Sequence, residues 1–401
     1  MSRATAIRFS TSSTPFLVTT SSLPQMLRLL VLGLLATAEA LVLPSPEGPY
    51  QVGLKIHAMT DHSRVDPYSP ADNRHPRRLL TSIFWPVAKS CSHKEVAYLP
   101  PATAAWYGAQ VSGLGLPNTT FSDMKLDVCD VSKPVKKCRN GTQRRFPLAV
   151  FSSGSGNSRL MYSLMAMSLA SEGYVVVTVD HPYDADLVEF PDGMIIKSAN
   201  ISEDTESLKK LTQVRAADMS YVVSDLKRTS SLPVGLRESI DFSKIVAYGH
   251  SLGGASAASV IKADSQFLGG VDLDGRLVDP VLSEGIEEPF LLLGRPTHHQ
   301  EDDTWVQFWK SLKGSKVELA LNGTLHGSYT DMPRLFNALN LPAEAKAQAA
   351  SLIGAIDGDR LDKILTSTLS SFFTFILGGS SEQFGSTVKS FAEVSVIGEE
   401  L

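Results

Sequence analysis

The feature that most restricts how this chain can fold is the run Gly249-His250-Ser251-Leu252-Gly253-Gly254. An apolar stretch, Ile245-Val246-Ala247-Tyr248, leads into it, and Ala255-Ser256-Ala257-Ala258-Ser259-Val260 follows. The order is strand, Gly-x-Ser-x-Gly, then a helix of small residues. Side chains at the flanking glycine positions would collide with the neighbouring strand and helix. The turn lifts the serine hydroxyl above the sheet edge. It also sets it at a helix N-terminus, where main-chain N–H groups and the helix dipole favour developing negative charge. Ser251 is therefore a candidate nucleophile, and the competing reading is an ordinary glycine-rich turn.

The surrounding pattern decides what kind of sheet holds this turn. Residues 148–151 and 174–179 are continuous apolar runs, which suit parallel strands covered on both faces. Further strands are predicted at 79–85 (stopped by Pro86), 267–273, 290–293 and 317–321. Helices are predicted at 160–171, 203–227 and 357–377, and a hairpin at 187–197 about Pro191-Asp192-Gly193. The stripe Leu361, Ile364, Leu365, Leu369, Phe372 and Ile376 reads as core packing, with a membrane-interface helix as the alternative. Repeated β–α alternation predicts an α/β fold of the α/β-hydrolase type: one doubly wound, mostly parallel sheet with helices on both faces. Residues 41–75, rich in Pro, Asp, Ser and Arg, are expected to have little regular structure. Residues 88–145 are expected to form an irregular region tied by a disulfide, within a single domain spanning 41–401.

Residues 27–40 have a short apolar core after Arg28 and end in Ala38-Glu39-Ala40, which reads as a secretory signal cleaved after Ala40. The run is too short for a membrane anchor. Translation from Met26 would put the signal at the chain terminus. Four sequons agree with export, at Asn118, Asn140, Asn200 and Asn322. Three cysteines, Cys91, Cys129 and Cys138, would then leave one pair and one thiol, with all three pairings open. The net charge is −5 and no basic run is present, which argues against a nucleic-acid partner.

A serine hydroxyl needs a base. His326 follows the strand at 317–321 in the loop Asn322-Gly323-Thr324-Leu325-His326 and is the candidate. The acid is sought at a strand end. The loop after 290–293 begins Gly294-Arg295-Pro296-Thr297-His298-His299, with no carboxylate near its start. Asp274 ends the earlier strand and precedes Gly275, so it is preferred. The Glu301–Asp303 group comes next, and Asp272, inside the strand, last. His298 and His299 have a pocket-lining reading, but a solvated loop is preferred for them. Leu252 and Ser155 are the candidate oxyanion-hole donors, both through main-chain N–H groups; Ser155 lies in the glycine-flanked loop 151–156. No metal or other cofactor is expected, since no His/Asp/Glu cluster has ligand spacing and serine chemistry needs none.

Three segments together resemble the secreted platelet-activating-factor acetylhydrolase family, fungal type. They are Phe151-Ser152-Ser153-Gly154-Ser155-Gly156 with Arg159 and Tyr162; the 249–254 run; and Leu273-Asp274 with His326 downstream. The resemblance spans about residues 79–377. It implies an acid on the strand after the nucleophile helix, supporting Asp274. It also implies calcium-independent removal of short sn-2 acyl groups from phospholipids, with at most transient contact with a lipid surface. Leu252 stands where animal members tend to carry an aromatic, and Ser155 where they have a larger apolar residue; both departures bear on pocket shape. The region from Cys91 to Cys138 resembles the fungal branch. The alternatives are a general carboxylesterase or polyesterase and, from another class, an inactive hydrolase fold used for binding. Oligomeric state is not legible.

Overall fold

The computed structural model describes residues 40–87, 91–132, 144–233, 235–339, 341 and 343–401. The predicted signal segment, Cys138 and the sequon at Asn140 lie outside them. The strands are β1 (Leu41–Val42), β2 (Gln51–Val65), β3 (Pro76–Val87), β4 (His93–Ala97), β5 (Met124–Cys129), β6 (Phe146–Ser152) and β7 (Val175–Asp180). After these come β8 (Leu187–Glu189), β9 (Ile195–Lys197), β10 (Ile240–His250), β11 (Phe267–Leu273), β12 (Phe290–Gly294), β13 (Lys316–Leu321) and β14 (Val394–Glu400). Twelve of them form one sheet in the order β1-β5-β2-β3-β7-β6-β10-β11-β12-β13-β14, with β4 paired to β5. The run from β7 to β13 is parallel; β3 and β14 join it antiparallel. β8 and β9 form the predicted hairpin.

Alternation along the parallel strands sends side chains to two buried cores. On one face Ala149, Phe151, Val246, Tyr248, Leu291 and Leu293 pack under α2 (Ser163–Ser171) and α6 (Gly358–Ile376). On the other, Leu148, Val150, Ile245, Ala247, Phe290 and Leu292 pack under α3 (Thr205–Arg228), α4 (Leu252–Ala263) and α5 (Asp303–Ser311). The predicted stripe of α6 faces the core: Leu361, Ile364, Leu365, Leu369 and Phe372 are buried. Asp204 and Asp357 cap α3 and α6, each accepting from main-chain N–H groups of the first turn. No helix among the described residues is long and apolar enough to cross a membrane.

The N-terminal third departs from the sequence reading. Residues 41–75 contain β2, a fifteen-residue strand, and 88–145 contain β4, β5 and α1 (Pro101–Val111). Polar residues mask β2 because two of them are buried in pairs: His57 with Asp225 and Asp61 with Arg64. β3 also runs through Pro86. On β3 the pairing with β7 covers only Leu80–Phe84, so Pro86 lies where the strand has a single neighbour and a missing N–H costs little. Cys91 is bonded to Cys129, with Cα atoms 5.7 Å apart, at the point where β4 pairs with β5.

Candidate active site

Four of the candidate residues follow the carboxyl ends of sheet strands, where open parallel sheets gather their functional groups. Ser251 follows β10, and Asp274 follows β11. Ser155 lies beyond β6, and His326 beyond β13. Ser251 has φ 57° and ψ −127°, a conformation that disfavours any side chain. Sterics explain the glycines around it. A Cβ on Gly249 would lie 2.2 Å from Gly253 main chain, one on Gly253 2.0 Å from the Ser152 carbonyl, and one on Gly275 2.2 Å from the Ser251 carbonyl.

His326 Nε2 lies 3.0 Å from Ser251 Oγ, and its Nδ1 2.6 Å from Asp274 Oδ2. The His326 side chain is 51% exposed, so the serine end of this chain is open to solvent. Leu252 opens α4 directly after Ser251, and Ser155 is exposed at the tip of the loop after β6. The other acid candidates are elsewhere. Asp302 caps α5, and Glu301 holds Arg295 Nη2 at 2.8 Å. Asp272 is fully buried beneath the glycines of α4, its Oδ1 accepting from Gly275 N–H; burial pushes its carboxyl well up.

A second layer escaped the sequence reading. His250, buried beside Ser251, donates from Nε2 to the His326 carbonyl at 3.0 Å and accepts the Tyr162 hydroxyl at Nδ1, 2.9 Å away. Tyr162 Oη in turn accepts the Gly154 N–H at 3.1 Å. Burial, with His326 nearby, lowers His250 to about 3, so its ring stays neutral and fills this donor–acceptor role. One phenol and one imidazole thus tie the loop after β6 to the loop carrying His326. Arg215 of α3 bonds the Ser153 carbonyl and is itself paired with Asp184, all buried.

The loop after β12 is not solvated as expected. His298 is buried, its ring tilted 34° against Trp305 with centroids 3.9 Å apart, and its Nδ1 lies 2.9 Å from Asp274 Oδ1. Arg295 donates to the same carboxylate through its main-chain N–H (2.8 Å) and Nη1 (2.6 Å). Gly294 makes room, since a Cβ there would lie 2.7 Å from Trp305 and 3.0 Å from Asp274. Burial alone would raise the Asp274 carboxyl. Hydrogen bonds from His298 and His326 outweigh it and hold the group well below the usual carboxylate range. Burial disfavours charge on His298, but Asp274 and Asp302 prevail and raise it to about 9. The sequence signal was the cation and histidine pair placed immediately beyond a central strand end. His299 is the more exposed of the two and lies 2.7 Å from Glu318.

A serine on a positive-φ turn heading a central parallel strand, with helices on both sheet faces, defines the α/β-hydrolase class. Comparison of sequences narrows it. The chain belongs to the family described as platelet-activating factor acetylhydrolase, isoform II, whose model matches residues 35–190 and 195–349. It is 31% identical over 360 residues to a probable 1-alkyl-2-acetylglycerophosphocholine esterase of Arthroderma benhamiae, covering 85% of this chain and 89% of that one. It is 26% identical over 263 residues to the platelet-activating factor acetylhydrolase of Cavia porcellus, covering 59% of each. Among solved structures, a ferulic acid esterase from Streptomyces cinnamoneus superposes with a TM-score of 0.68 at 25% identity, covering 90% of this chain and all of that one.

Proposed function

We propose that this protein is a serine ester hydrolase that removes short, acetyl-like sn-2 acyl groups from phospholipids. The observation that carries the reading is the continuous chain from Ser251 Oγ through His326 to Asp274, at 3.0 and 2.6 Å. The family supplies the substrate class, through relatives named for acetylglycerophosphocholine and platelet-activating factor.

In this mechanism Ser251 Oγ attacks the ester carbonyl while His326 Nε2 takes its proton. Asp274 holds the imidazole with Nδ1 protonated and stabilises the imidazolium. The oxyanion is received by main-chain N–H groups of Leu252 and Ser155. Gly154 N–H is already committed to Tyr162, which favours Ser155 as the loop's donor. His326 then protonates the departing glycerol oxygen, leaving acyl-Ser251. Water, activated by the same imidazole, hydrolyses that ester. The residues provide the base, the charge and the donors this sequence requires, without an added cofactor. Contact with a lipid surface would be transient.

Export is part of the proposal. A signal ending at Ala40, the Cys91–Cys129 bond and exposed sequon asparagines at Asn118, Asn200 and Asn322 support it. The mature unit would be one domain, 41–401. The likeness to a ferulic acid esterase, with the open histidine, favours a second reading as a general carboxylesterase. The test compares a short sn-2 acyl phospholipid with p-nitrophenyl acetate and butyrate, using Ser251→Ala as control. A fluorophosphonate should label Ser251 alone. Labelling elsewhere, or full activity of the alanine variant, removes the serine mechanism. Equal turnover of simple esters and poor turnover of phospholipid favours the second reading.

A further inference from the structure

Asp274 is engaged by more than the one imidazole that ester hydrolysis requires. Its Oδ2 takes His326 Nδ1 and Arg295 Nη1, both at 2.6 Å; its Oδ1 takes Arg295 N–H at 2.8 Å and His298 Nδ1 at 2.9 Å. The second histidine is a built group. Its side chain is 4% exposed, it lies against the Trp305 ring, and the Trp305 indole N–H is fixed to the Gly275 carbonyl next to Asp274. Its Nδ1 meets Asp274 Oδ1, with Arg295 Nη1 also 3.0 Å away, and its Nε2, which makes no hydrogen bond, lies 3.4 Å from Asp302 Oδ2. Such surroundings favour a proton on each nitrogen.

We propose that His298 is a positioning residue for this hydrolysis, a second imidazolium that, with Arg295, spreads the negative charge of Asp274 and so weakens its hold on a proton at His326. The inference rests on the catalytic reading of Ser251, His326 and Asp274. A bare buried carboxylate would strongly stabilise the His326 imidazolium and make the base easy to protonate. Sharing that carboxylate between two further cations works the other way and weakens the pull of Asp274 on the His326 proton. The groups facing His298 are Asp274 and Asp272 from the β11 end, Arg295 with its Nη1 3.0 Å from Nδ1, and Asp302 at the start of α5. Glu301 lies behind Arg295. His326, facing Asp274 and Ser251, also lies against His250, ring centroids 4.7 Å apart.

The experiment is the pH dependence of kcat/KM on p-nitrophenyl acetate for the wild type, His298→Asn and Arg295→Gln. Asparagine keeps a neutral donor toward Asp274; glutamine removes charge from a half-buried side chain and so puts folding at less risk. Each variant should move the acidic limb to higher pH by about half a unit or more, with the plateau falling by less than about tenfold. A purely structural role lowers the plateau and leaves the limb in place, and that result overturns the inference. Long-range 15N–1H spectra of the wild-type imidazoles give an independent reading without any substitution. A doubly protonated His298 ring at neutral pH is expected, and a neutral ring overturns the inference. Fluorophosphonate labelling of wild-type Ser251 separates the two levels. Absence of labelling removes the catalytic reading, whereas labelling with an unmoved limb removes only the role of His298.

Discussion

The two halves of the site are built by different forces. Around Ser251 the design is steric. Gly249, Gly253 and Gly275 each lie where a Cβ would press within about 2.2 Å of backbone, and the small residues of α4 let that helix lie close to the sheet. Around Asp274 the design is electrostatic. One buried carboxylate gathers His326, His298 and Arg295, and room for them comes from Gly294. A steric device is local in sequence and shows as a motif. An electrostatic one is assembled from strand ends far apart in the chain and leaves only isolated charged residues.

Substitutions can break this contrast, beginning with the serine. Ser251→Ala should lower kcat on the order of 10⁵-fold or more, read by steady-state turnover, with folding unchanged. Asp274→Asn should cost about 10⁴-fold, whereas Asp302→Asn should be mild. If that order inverted, the acid would have to be reassigned to the loop after β12.

The electrostatic half should also be visible in stability. His298, raised to about 9 in the folded state, contributes fully below its unfolded value near 6.5 and loses that contribution as pH rises through 9. Asp274 is lowered, so its contribution is present above about 4 and disappears as pH falls through its folded value. Urea titrations from pH 6.5 to 9.5 should therefore show a loss on the order of 3 kcal/mol, mostly absent in His298→Asn. The steric half predicts a pH-independent loss instead. Gly275→Ala should cost about 1–3 kcal/mol at any pH, because Ser251 main chain must move.

The smallest effect is expected at the sequon beside the histidine loop. Asn322 is exposed, but Thr324 is buried and donates to the Leu321 carbonyl, so replacing the threonine would disturb the loop itself. Asn322→Gln is the cleaner change and should leave turnover of small esters within a few-fold. Intact mass of the exported protein reports whether the site carries sugar. A large gain on bulky phospholipid alone would place a glycan at the entrance.

Legibility in the sequence follows the same division. The parallel strands read clearly because burial on both faces makes them continuous apolar runs, and motif and chain order pointed to Ser251 and His326, which the fold brings within 3.0 Å. β2 did not, because His57 and Asp61 are buried through partners 168 and 3 residues away. β4 and β5 were hidden among the prolines and glycines of their connections. His298 read as a solvated loop residue because its partner Asp274 lies 24 residues earlier, across a strand. Tyr162 and His250 were visible only as neighbours of motifs, because the hydrogen bonds by which they link two loops join residues 88 and 76 positions apart.

The backbone at Ser251 carries one more consequence. Positive φ at a residue with a side chain is a conformation that glycine adopts at lower cost, so Ser251→Gly should relieve strain while removing the hydroxyl proposed to attack the ester. Selection for folding alone would favour that replacement, by up to roughly 1–3 kcal/mol. On the proposed mechanism, keeping a serine there means the protein holds a standing conflict between robustness and turnover at a single position. Libraries screened only for heat resistance should drift toward glycine at 251, and their survivors should be inert.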